Sequence, residues 1–175
     1  MKMTRTRSTR STVVHDVNHI KSEGTGTESA LLELFAASTR AGRLLRTAMA
    51  RAPLRPDEFA IYSLLRVKRS LTPSELARAL GMQRSTLSNY LTRMNERGDL
   101  LRQADGGDRR SVRLALSPRG QARDKAAMPY FSHAVVPLNA ALGAARPEII
   151  RALRQLSVAL DSATEQSGRD RRRRA

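Results

Sequence analysis

Residues 71–98 constrain this chain more than any other segment. Thr72-Pro73-Ser74-Glu75 has the form of a capping box with Pro at the first helical position. Leu76, Ala77 and Leu80 then give a short helix one apolar face, and Gly81 suits the left-handed residue that ends it. Met82 and Gln83 lead into a second helix over 84–97, closed by Gly98. Its apolar residues Leu87, Tyr90, Leu91 and Met94 share one side, while Ser85, Asn89, Thr92 and Arg93 fall opposite. A short helix, a turn containing Gly and a second helix are the parts of a helix-turn-helix.

A hairpin follows at once. Residues 100–103 and 110–116 read as strands, the second alternating Val112, Leu114 and Leu116 with Arg113 and Ala115. Asp105-Gly106-Gly107-Asp108 supplies the turn between them. A hairpin directly after a helix-turn-helix is a wing.

Helices flank this module. Residues 29–50 repeat apolar side chains at helical spacing, and Pro53 stops them. Pro56 opens a helix with Asp57 and Glu58 in its first turn and a stripe of Phe59, Tyr62 and Leu65. Ser117-Pro118 starts another, with Ala122, Ala126, Phe131, Val135, Leu138 and Leu142 as its apolar side. Pro129 and Pro137 predict a kink or break in it. Pro147 opens a last helix carrying Ile149, Ile150, Leu153, Leu156 and Leu160. The fold class is therefore mainly α, with one small two-stranded β wing.

Charge bears on partners. The chain of 175 residues has 32 Lys+Arg against 16 Asp+Glu, and residues 53–120 alone hold 13 cations against 7 anions. Such a balance favours a polyanion: nucleic acid first, an anionic membrane second. Aromatic residues make up only 3%, too few for the stacking platforms of single-strand binders. No apolar run is long enough to span a membrane. The absence of Cys excludes disulfides, thiolate catalysis and thiol redox sensing. No Ser/His/Asp geometry, carboxylate pair or phosphate loop stands out, so the expectation is no enzyme and no cofactor. His15 and His19 have a metal-compatible spacing but no third ligand, so no metal site is expected either.

The order of elements, with Leu71-Thr72-Pro73-Ser74-Glu75-Leu76-Ala77, Arg84-Ser85-Thr86-Leu87, Glu96-Arg97-Gly98-Asp99-Leu100, the wing Asp105 to Val112, and Leu116-Ser117-Pro118-Arg119-Gly120, resembles the MarR family of bacterial transcription regulators. The likeness covers roughly residues 30 to 162. Gln83 and Arg55 depart from it, standing where small capping residues are usual, which predicts weaker caps. Pro137 is unusual in the fifth helix.

The resemblance implies a domain over 29–164: a winged helix-turn-helix at about 53–120 and dimerisation helices at about 29–50 and 118–164. A disordered basic arm, 1–28, and an Arg-rich tail, 165–175, lie outside it. It further implies a cytoplasmic, nucleoid-associated homodimer on a pseudo-palindromic DNA operator, with half-sites about one helical turn apart. The recognition helix brings Gln83, Arg84, Ser85, Thr86, Ser88 and Asn89 to the base edges, Ser85 and Thr86 serving phosphate equally well. Arg93 is expected on phosphate. In the wing Arg110 is the minor-groove candidate, held by Asp108, with Arg109 as the alternative tip. The family pattern suggests a repressor released by a small aromatic or phenolic ligand. Tyr62, Tyr130 and His133 are named as pocket residues. The rival reading is a ligand-independent, nucleoid-type binder of duplex DNA.

Overall fold

The computed structural model describes residues 26–105 and 108–174. The chain divides into two compact units, 1–38 and 39–175. The division falls inside helix α1, Gly26–Ala48. In the first unit Leu31, Leu32 and Phe35 of this helix are exposed.

The second unit builds on helices α2 (Pro56–Lys68), α3 (Pro73–Leu80) and α4 (Arg84–Glu96), then strands β1 (Leu100–Asp105) and β2 (Asp108–Leu116). Helix α5 (Pro118–Leu142), a single 3-10 turn (Gly143–Ala145) and α6 (Arg146–Arg174) follow. The predicted capping box forms in full: Thr72 Oγ1 accepts from the Glu75 N–H, and the Glu75 carboxylate accepts from the Thr72 N–H. Gly81 takes the left-handed conformation at φ 61° and ends α3. Arg55 and Gln83 cap α2 and α4 with no side-chain bond, as their departure from small polar residues led one to expect.

The core gathers one face from each element: Ile61, Tyr62 and Leu65 of α2, Leu76 of α3, Leu87 and Met94 of α4, and Leu114 of β2 are all but inaccessible. At about 1.5–3 kcal/mol for each fully buried large side chain, this cluster is the main force holding α4 in place. Phe59 of α2 meets Phe131 of α5 with ring centroids 4.8 Å apart and tilted.

β1 and β2 pair antiparallel from Leu100↔Leu116 outward, with a register shift between Ala104 and Asp105. The hairpin is longer than predicted, because Asp105 and Asp108 pair as strand residues rather than belonging to the turn. Leu71 adds a third rung at the base, exchanging backbone bonds with Leu114.

Three expectations need correction. Helix α5 is unbroken through Pro129 and Pro137. The carbonyls that lose an in-helix donor belong to Lys125 and His133, both exposed residues, where the loss costs less than in the core. Its buried side is also not the predicted stripe: Gly120, Asp124, Ala127 and Ala134 face inward, while Ala122, Ala126 and Leu138 face out. A buried Asp in that row masked the true period. Finally, the last helix does not end at about 164: α6 runs on through the Arg-rich segment to Arg174. Arg is a good helix former, cations suit a helix C-terminus, and Arg169 pairs with Glu165 one turn back at 3.6 Å. The basic arm, including His15 and His19, lies outside the described residues.

Candidate nucleic-acid interface

Helix α4 has two chemically distinct sides. Leu87, Leu91 and Met94 are buried, and Tyr90 packs partly against the same core. Every residue assigned to base or phosphate contact on this helix is exposed: Gln83, Arg84, Ser85, Thr86, Ser88, Asn89 and Arg93. The structure therefore leaves all the predicted reading residues on the solvent side of the helix, with Arg84 and Thr86 flanking the buried stripe. Arg93 lies over the ring of Tyr90, its guanidinium 4.9 Å from the centroid. Tyr90 in turn donates to Asp57 Oδ2 at 3.2 Å. This cation–π contact orients Arg93 while leaving its donors free for an anion.

Beside this face runs a groove of about 370 Å³ between the start of α3, α4 and β1. Arg84, Ser88, Thr92, Ser74 and Arg102 provide its polar lining over a floor of Leu87 and Leu91. Sequence reasoning missed Ser74 and Arg102. Both were visible as polar residues, but only the fold places their segments alongside Arg84.

The wing is fastened at its base. Arg113 of β2 donates from Nε to Ser70 Oγ and from Nη2 to the Ser70 carbonyl, both at 3.0 Å, and lies 3.7 Å from Glu75. Glu75 titrates below the usual carboxylate range because the Thr72 N–H bonds its charged form. Asp108, Arg109 and Arg110 form the first residues of β2, but their side chains lie outside the described residues.

The far end of α4 is locked by Asp99, which is wholly buried. Tyr62 donates to its Oδ2 at 2.6 Å and Arg97 Nε at 3.1 Å. Arg123 of α5 approaches the same oxygen at 3.1 Å as an ion pair without hydrogen-bond alignment. Arg97 also bonds Glu58 Oε1 at 3.0 Å and the Tyr62 hydroxyl at 3.2 Å. Burial first, then the bond to Asp99, pushes the Tyr62 hydroxyl up to about 12. Burial opposes the charge on Arg97, but its bonds to Tyr62, Asp99 and Glu58 outweigh that and hold it protonated. The backbone closes the same joint: Ser117 N–H donates to the Asp99 carbonyl and Ser117 Oγ to that of Gly98. Gly120 fits because a Cβ there would collide with the Asp99 carbonyl oxygen.

The proposed pocket residues do not converge. Tyr62 belongs to this core joint and is fully buried, so it is not a free cavity wall. Tyr130 is partly buried against the core, and His133 is exposed. An apolar cavity of about 230 Å³ lies instead among Met49, Phe59, Ala60, Ser63, Met128 and Phe131. Among the described residues no cluster of three His, Asp or Glu is placed to hold a metal ion. No described helix is long and apolar enough to cross a membrane.

Residues 54–112, which span α2 through most of the wing, match the model of the MarR family. Residues 54–112 form a MarR-family module. Solved structures support the same fold. The chain is similar to Bordetella bronchiseptica BpsR, whose DNA binding is regulated by 6-hydroxynicotinic acid, at 23% identity over 79% of this chain and 96% of that one, TM-score 0.63. It is similar to the M. tuberculosis transcriptional regulator MOSR in complex with DNA at 26% identity, covering 79% and 95%, TM-score 0.54. An E. coli MarR mutant complexed with operator DNA gives 20% identity, 77% and 97% coverage and a TM-score of 0.61. No curated protein matches the chain. The matched segment contains the winged helix-turn-helix, in which α4 is the second helix.

Proposed function

We propose that this chain is a cytoplasmic MarR-family repressor that reads a pseudo-palindromic duplex operator as a homodimer and is released by a small aromatic or phenolic ligand. The observation that carries the reading is the exposed row from Gln83 to Asn89, held rigidly by the buried Leu87, Leu91 and Met94. Its Arg, Asn and Gln have the donors and acceptors that distinguish guanine and adenine in the major groove. MOSR and E. coli MarR were solved with DNA, which supports duplex DNA as the partner.

Homodimerisation is supported by apolar side chains left open outside the winged module. These are Leu31, Leu32 and Phe35 in the first unit, and Leu153 and Val158 on α6 in the second. A second copy would cover such surface. Release by a ligand is supported by the regulation of BpsR by a hydroxylated aromatic acid. In this chain the cavity lined by Phe59 and Phe131 suits an aromatic ring better than the surroundings of Tyr62, Tyr130 and His133. In the wing, Arg110, supported by Asp108, is assigned to the minor groove, with Arg109 as the alternative.

Sequencing the DNA fragments that the protein retains from its own genome tests this. The expected result is a shared pseudo-palindrome with half-sites about one helical turn apart. Retention without shared sequence, with steep salt dependence, would establish the nucleoid-type binder instead.

A further inference from the structure

Helix α6 is 29 residues long, about 43 Å at 1.5 Å per residue, and its chemistry changes along its length. From Ser157 to Thr164 it runs beside the helix-turn-helix. Ser157, Leu160 and Thr164 line one wall of an open groove of about 760 Å³, and Leu80 and Gly81 at the end of α3 line the other. These α6 positions have the spacing of a single helical row. Two acids, Glu75 and Asp161, stand in the groove against one base, Arg78, so the groove itself offers no seat for an anion.

Past the groove the balance reverses. Residues 165–174 hold five arginines, Arg169 and Arg171 to Arg174, against Glu165 and Asp170. Glu165 and Arg169 occupy each other at 3.6 Å. Arg173 is exposed and, among the described residues, has no acidic partner. By helical spacing, the row that lines the groove continues through Gly168 to positions 171 and 172. From Thr164 to position 171 is about 10 Å along the axis. Across the groove, Gly81 comes two residues before Gln83, where the exposed row of α4 begins.

This end of α6 is also bare. Residues 161–170 are all exposed, and a side chain at Gly168 would meet open space. Helical spacing sets like charges three and four residues apart, Arg169 with Arg172 and Arg173, and Arg171 with Arg174. Such pairs repel and weaken a helix standing alone. A polyanion laid against them removes the repulsion. Arginine suits phosphate in particular, because its planar fork donates to two oxygens at once.

We propose that the arginine-bearing end of α6 is a second DNA-contacting element, which holds backbone phosphates of the duplex that α4 addresses and adds affinity without reading sequence. The proposal rests on duplex DNA being the partner. The place of α6 beside the helix-turn-helix favours that duplex over an anionic membrane.

Fluorescence anisotropy of the full chain across a salt series tests this on two duplexes, one retained from the genome and one of random sequence. The fourfold variant Arg171→Gln, Arg172→Gln, Arg173→Gln and Arg174→Gln should reduce the slope of log Kd against log salt. The expected reduction is about 1.8–3.6 per bound chain, for two to four phosphate contacts at about 0.9 each. Both duplexes should weaken by the same factor. Lys at the same four positions keeps the charge and should restore most of the slope. Gln and Lys both favour helix, so circular dichroism should match wild type in both variants.

A wild-type slope in the Gln variant, or a Lys variant as weak as the Gln variant, would overturn the proposal. A changed preference between the two duplexes would make these arginines base readers and overturn it as well. Loss of binding to phosphatidylglycerol vesicles with duplex binding intact would assign this end of α6 to a membrane instead. A wild-type protein that holds both duplexes equally fails the sequence-reading regulator, while the slope on the random duplex still decides the role of α6.

Discussion

Tyr62 and Asp99, 37 residues apart in sequence, meet through a 2.6 Å hydrogen bond in the interior, and that bond joins α2 to the chain just after α4. The hydroxyl is raised to about 12, so folding favours its neutral form. For a group raised on folding, the stabilisation is complete below the unfolded pKa, near 10, and is lost as pH climbs toward 12. Denaturant unfolding followed by circular dichroism should therefore show stability falling between those limits. Tyr62→Phe should flatten that fall and cost about 1.5–3 kcal/mol at neutral pH, as expected for a hydrogen bond to a charged group.

Gly120 is expected to be intolerant of substitution for a steric reason. Its α-carbon abuts the Asp99 carbonyl, which already accepts from the Ser117 N–H. Gly120→Ala, mild elsewhere in a helix, should destabilise by about 1–3 kcal/mol through overpacking, read as a lower denaturation midpoint. A midpoint equal to wild type would contradict the tight joint.

The capping box gives an acid-side prediction. Glu75 is depressed chiefly by the Thr72 N–H, so its contribution is present above the unfolded value of 4.5 and disappears as pH falls below it. Thr72→Ala should cost about 0.5–2 kcal/mol for the lost cap but keep most of that acid dependence, because Ala retains the backbone N–H, whereas Glu75→Gln should abolish it. Equilibrium unfolding at pH values on either side of the unfolded value checks both.

For DNA, Arg84→Ala and Asn89→Ala should each cost about 1–3 kcal/mol and relax sequence preference. Arg110→Ala should lower affinity. Titration of labelled operator measures all three, and unchanged binding throughout would remove α4 and the wing as the reading elements.

Arg102 behaves differently if its groove seats a phosphate. Arg102→Gln should weaken binding by a similar factor on all sequences. It should also reduce the slope of log Kd against log salt by about 0.9, the value of one phosphate contact on B-DNA. A change in which sequence is preferred would make Arg102 a base reader.

The local devices of this fold were legible because each is written in adjacent residues. Thr72 with Glu75, Gly81, and Ser117 with Pro118 carry their own geometry in short-range spacing. The joint at Asp99 was not legible. Its members, Glu58 and Tyr62 of α2, Arg97 at the end of α4 and Arg123 of α5, come from separate stretches of chain, and no periodicity links them. For the same reason the inward side of α5 was misread: Asp124 is buried only because Arg66 reaches it from α2. The α4 residues were placed correctly because helical spacing alone separates Ser85 and Asn89 from Leu87 and Leu91. Arg102 was missed because its neighbour Arg84 is distant in sequence.

Helix α4 is entered just after one glycine and left just before another, Gly81 at φ 61° and Gly98 at φ 69°. Between them the interior asks chiefly for Leu87, Leu91 and Met94. Among the described residues the helix's outward side chains have no internal partner apart from Arg93 over Tyr90, and Arg97 just past its end, which is bonded to Glu58, Tyr62 and Asp99. The segment is thus a cassette: its lettering can be rewritten for a new operator while the hinges and the three anchoring side chains stay as they are, so a change of target need not come at the expense of the fold.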